Sequence, residues 1–127
     1  MTNLRLSAVL ICLSAFTNAA AAKDALPLQR GILVDEGTSC HDAPTVSLFG
    51  YWGNSIGISH DSCAFSRVER SGNAFVASFK CTSIQTGAPY RFNATFTPQG
   101  TRRVVMLSNG GSTTYRWCAR NMDALSR

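Results

Sequence analysis

The second half of the chain alternates apolar and polar residues with a period of two, the pattern of strands half buried against a core. Phe75, Ala77, Phe79 and Cys81 share one face of the run Ala74 to Ile84, and Tyr90, Phe92, Ala94 and Phe96 alternate with Arg91, Asn93, Thr95 and Thr97. Ser71-Gly72-Asn73 and Ser108-Asn109-Gly110-Gly111 are hairpin turns, and Thr86-Gly87-Ala88-Pro89 and Pro98-Gln99-Gly100-Thr101 turn the chain between further strands. Arg102 to Leu107 and Ser112 to Arg120 complete the series, the latter with Tyr115 and Trp117 on one face.

The first half is less regular. Gly31 to Glu36 is a β-branched run and predicts strand 1, and Thr45 to Trp52 predicts strand 2, with Val46, Leu48 and Gly50 on one face. Ile56 to His60 is a short strand weakened by Gly57. Cys63 to Arg70 divides its apolar residues poorly between faces and predicts a bulged strand. No stretch of ten residues after the first 22 repeats at 3.6 residues. The expectation is an all-β domain over 31–120, six to eight short antiparallel strands in a meander closed as a small barrel or folded as a sandwich.

Residues 1–22 read as a secretory signal: Arg5 is the positive start, Leu6 to Phe16 the apolar stretch, and Ala19 to Ala22 the small-residue cleavage zone, with the cut before Lys23. Cys12 raises lipidation as a competitor, but Ile11 is not the small residue that a lipobox needs. Residues 23–30 then form a mobile leader and 121–127 a fraying tail. The expected location is the periplasm or the exterior.

The chain carries 12 Lys+Arg against 7 Asp+Glu, a formal net charge of +5. Arginine dominates, and Arg91, Arg102, Arg103, Arg116 and Arg120 cluster in the second half. They suit bidentate contact with carboxylate, phosphate or sulfate; they also suit a solvated strand face. An exported chain without a basic run or a nucleic-acid motif is not expected to bind nucleic acid.

Cys40, Cys63, Cys81 and Cys118 are an even set in an exported chain, so two disulfides are expected. Of three pairings, Cys40 with Cys63 and Cys81 with Cys118 is favoured, because each closes a moderate loop around one half of the chain. Cys40, His41, His60 and Cys63 also make the ligand set of a tetrahedral zinc site. Adjacent side chains in extended structure diverge, and an oxidising compartment consumes the thiols, so no metal and no cofactor are expected.

His41-Asp42 and His60-Asp61-Ser62 hold the letters of a catalytic triad, yet such groups must converge from separate positions. Asp24, Asp35, Glu36, Asp42, Asp61, Glu69 and Asp123 show no pairing across a cleft. A hydrolase using His41 or His60 stays an alternative; no enzyme is expected. Binding is the remaining chemistry. Phe49-Gly50-Tyr51-Trp52-Gly53-Asn54 sets aromatics among glycines, and Tyr51, Trp52 and Asn54 are its contact candidates, Tyr51 first.

Two resemblances follow. Gly37-Thr-Ser-Cys40-His-Asp-Ala-Pro44 with His60-x-x-Cys63 and Phe79-x-Cys81 looks like small exported cysteine-rich proteins of proteobacteria, which imply no function. Ser71-Gly72-Asn73-Ala74-Phe75 is similar to the Ser-Gly-x-x-Tyr motif of periplasmic inhibitors of c-type lysozyme. That resemblance makes Ser71 and Gly72 an inhibitory loop, although Phe75 stands where the family has tyrosine, a second motif is missing and the charge is positive. The functional expectation is a binding or inhibitor module for a protein of the cell envelope or a host. An arginine-based binder of an anionic glycan, lipid or nucleotide is the alternative.

Overall fold

The computed structural model describes residues 23–125; the expected signal and Cys12 lie outside the described residues. Eight strands follow in chain order: β1 (Gly31–Asp35), β2 (Leu48–Tyr51), β3 (Ser55–Ile58), β4 (Asp61–Ser71), β5 (Ala74–Thr82), β6 (Pro89–Pro98), β7 (Arg103–Ser108) and β8 (Gly111–Ala119). Each pairs antiparallel with its neighbour, and β8 pairs with β1, so the meander closes as a barrel. Short connections dictate the antiparallel order. The bulge expected in the fourth strand falls between Phe65 and Arg67.

Alternation fills the interior. Leu33, Phe49, Tyr51, Ile56, Cys63, Ala77, Phe79, Cys81, Ala94, Phe96, Val104, Met106 and Tyr115 form one buried cluster. Phe79 stands 4.5 Å from Phe65 and 5.8 Å from Phe92 by ring centroids, and Phe49 stands 5.2 Å from Tyr115. An eight-stranded barrel is just wide enough for side chains to fill it. The outward positions of β4 to β6 include Arg67, Glu69, Lys80, Arg91 and Asn93, the inverse of a lipid-facing barrel. No helix among the described residues is long and apolar enough to cross a membrane.

Three expectations are corrected. Residues 23–30 are not a mobile leader: Leu26 and Leu28 are buried in the core cluster, and Gln29 N–H donates to Thr101 O at 2.7 Å. Leu26 and Leu28 are buried from a bent segment whose backbone is tied to Gly53 and Thr101, which places it over the end of the barrel where the 52–54 and 99–102 turns lie. Nor is the expected tail without regular structure, since Met122–Leu125 form one helical turn, α1, while residues 126–127 lie outside the described residues.

The third correction concerns the cysteines, which pair as Cys40 with Cys118 and Cys63 with Cys81. Cys63 and Cys81 are direct cross-strand partners with Cα atoms 4.0 Å apart, both pointing inward. Cys40 lies in the 36–47 connection, which its bond to Cys118 and the hydrogen bond from Arg116 to Thr38 O hold against the outer face of β8; Ile32 and Val34 on the outward phase of β1 are buried. Loop length misleads here because the β4–β5 ladder had already brought Cys63 and Cys81 together, leaving Cys40 for a strand 78 residues away.

Candidate functional site

The outer face of β2 and β3 carries a hollow of about 280 Å³ lined by Ile32, Thr45, Leu48, Gly50, Trp52, Gly57, Ser59, His60 and Met122. Its shape comes from two glycines. Gly50 and Gly57 are cross-strand partners, so the sheet surface between them has no side chains. Trp52 lies over this bare patch: a Cβ on Gly50 would stand 3.0 Å from the indole Nε1, and one on Gly57 4.0 Å from it. Trp52 keeps 38% of its surface exposed. Its N–H has no hydrogen-bond partner among the described residues.

Beside the hollow, Ser59 and His60 make the β3–β4 turn with φ of +46° and +76°. A two-residue hairpin with both angles positive favours Asn-Gly, and the β7–β8 turn obeys with Asn109 and Gly110. Ser59-His60 departs from that preference at a cost of about 1 kcal/mol or more per residue, the kind of local strain that gathers at functional positions.

Tyr51, the first expected contact, points the other way and is fully buried. Its hydroxyl accepts from the Leu26 amide at 2.9 Å and donates to the Leu26 carbonyl at 2.8 Å, tying the N-terminal segment into the barrel. Burial raises its pKa. Phe49 is buried on the same side, so Leu48, Gly50 and Trp52 face out, whereas Val46 lies in a short 3-10 turn and is exposed. Asn54 is exposed next to Gly53; its carbonyl accepts from Phe65 N–H.

Most of the candidate arginines are occupied. Arg116 donates to Thr38 O at 2.6 Å and lies 2.9 Å from Cys40 Sγ, so it holds the 36–47 connection in place. Arg103 pairs with Glu36. Arg102 donates to Gln29 Oε1 at 2.8 Å and stacks 4.7 Å from the Trp117 ring centroid. Arg120 is exposed beside α1, lining a hollow with Asn121, Asp123 and Ala124. Arg91 is exposed on β6 with neither an ion pair nor a hydrogen bond among the described residues. Ser71 and Gly72 sit at the exposed β4–β5 turn, where Gly72 has φ of +63° and its carbonyl accepts from Arg70 Nε.

The residues of the zinc and triad readings are not assembled. Cys40 and Cys63 belong to different disulfides, which removes both thiolates. His41 Nε2 lies 3.5 Å from Asp42, both exposed in the 36–47 connection. Asp61 turns from His60 to Tyr90: it accepts from the phenol at 2.5 Å and from Ile84 N–H at 3.1 Å. These hydrogen bonds lower the Asp61 pKa, and the same contact pushes that of Tyr90 up to about 12.

Sequence reasoning missed the Gly50–Gly57 pair, although the two glycines flank one turn at equal distance from it. It also passed over Lys80, which register places opposite Arg91. No family model, curated protein or solved structure matches the chain.

Proposed function

We propose that this chain is an exported, non-catalytic binding module that engages a protein partner through the Trp52 hollow. The observation that carries it is an indole held on a side-chain-free patch with its N–H unpartnered among the described residues, on a barrel whose interior is already filled. Tryptophan in a shaped, apolar hollow is the typical anchor of a protein interface. The residues lining the hollow include no acid and the chain is basic, so the complementary surface is an apolar side chain within an acidic surround. Two disulfides suit an oxidising compartment, the periplasm or the exterior.

The test is paired capture from envelope extract with the native chain and Trp52→Ala, followed by titration of the partner retained. The reading expects saturable binding weakened about 30-fold in Trp52→Ala, an anchor's worth of affinity. A partner bound equally by both, or no saturable partner, overturns it. The exposed Ser71-Gly72 turn supports a second reading, inhibition of a c-type lysozyme. Inhibition that disappears in Ser71→Trp would establish it, and full lysozyme activity at excess inhibitor would remove it.

A further inference from the structure

Lys80 on β5 and Arg91 on β6 are direct cross-strand partners on the outer face of the barrel. Like charges in that relation repel by a few tenths of a kcal/mol or more, and sheets commonly oppose them with an acid. None opposes them here among the described residues. The flanking outward pairs are Thr82 with Pro89, Ser78 with Asn93 and Val76 with Thr95, and β4 places Ala64 beside Lys80. Neither cation has an ion pair or a hydrogen bond among the described residues. Asp61 does not serve them: it shares the inward phase of Cys63, as Tyr90 shares that of Cys81, and its carboxylate is taken by Tyr90 and Ile84. Guarding a free strand edge would account for Arg91, because β6 begins before its pairing with β7 at Thr95. It does not account for Lys80, whose strand is paired on both sides.

We infer that Lys80 and Arg91 form a binding site for a tetrahedral oxyanion, the phosphate or sulfate group of a small ester. A planar guanidinium offers two parallel donors to such a group and an ammonium adds a point charge. A hollow of about 300 Å³ lined by Lys80, Cys81, Pro89, Tyr90 and Arg91 gives the anion a place beside both cations. Ser78, Thr82 and Asn93 bring hydroxyl and amide groups to the same face. A bound anion turns a repulsive pair into two attractive contacts. This site stands apart from the Trp52 hollow and does not depend on it.

The experiment follows backbone amides and the Arg91 Nε–H by two-dimensional NMR while inorganic phosphate, sulfate or glucose 6-phosphate is added, with chloride at equal ionic strength as baseline. Saturable shifts confined to residues 78–82 and 89–93 are expected with at least one of the three. Phosphate or sulfate alone would mark a free anion as the ligand, and tighter binding of the sugar phosphate an ester. Affinity falls at least about tenfold in Lys80→Gln and in Arg91→Gln, the loss of one charge-assisted contact. Arg91→Glu places an opposite charge beside Lys80, so it abolishes the shifts and raises the melting temperature. Chloride reproducing the shifts, none of the three anions producing them, or Arg91→Glu retaining them overturns the assignment.

Discussion

The pair Asp61–Tyr90 shows how one contact reaches solution behaviour. Asp61 accepts the phenol proton, which lowers its own pKa and raises that of Tyr90 to about 12. The two linkages have opposite signs. Tyr90 is held more protonated in the folded chain, so its contribution is complete below pH 10, its ordinary value, and is lost as pH rises toward about 12. Asp61 contributes above its ordinary value of 3.8 and loses that contribution as pH falls through its lowered pKa. Both groups are partly exposed, which screens the energy while leaving the titration readable. In Asp61→Asn the phenol loses its anionic acceptor, and the spectrophotometric tyrosinate titration should show one group moving from about 12 toward 10. An unchanged titration would mean that the pair does not form.

At the scale of elements the two disulfides do different work. Cys63–Cys81 lies inside the barrel between strands already laddered together, whereas Cys40–Cys118 is partly exposed and fastens the 36–47 connection over β1 and β8. By the loop-entropy model they stabilise by roughly 3 and 4.5 kcal/mol. Accessibility decides which opens first. Mild reductant should cleave Cys40–Cys118 before Cys63–Cys81, as read by mass after alkylation, and amide exchange should then rise in residues 36–47 while β4 and β5 stay protected. Simultaneous cleavage would show that the connection is not an independent element. The strands themselves were legible beforehand. Turn residues and alternation located Ala74–Thr82 and Pro89–Pro98 to within a residue or two, and the bulge in β4 announced itself through a face that would not divide. Strand 2 was harder, because its outward side is also partly covered, and with Leu48 on one side and Phe49 and Tyr51 on the other the pattern did not declare which faced the core.

For the whole molecule the N-terminal segment matters most. The barrel ends at Gly31 by topology, yet Leu26 and Leu28 belong to its core, and the Leu26 backbone both donates to and accepts from the Tyr51 hydroxyl. Leu26→Ala should therefore cost about 3 kcal/mol in urea unfolding, as for a large-to-small change in a packed core. A loss below about 0.5 kcal/mol, the scale of a surface change, would detach the segment from the core.

Local pattern and composition were enough to read the all-β class, the strands with their turns, the even cysteine set and a positive charge made mostly of arginine. Tertiary structure alone decided that Cys40 reaches Cys118, that Tyr51 points inward, that Arg102, Arg103 and Arg116 are occupied, and that Lys80 and Arg91 stand unopposed. Those outcomes depend on strand register and on closure of β8 against β1, contacts between residues far apart in the chain. A period of two records only that a strand has two faces; which one becomes the inside is settled when the barrel closes.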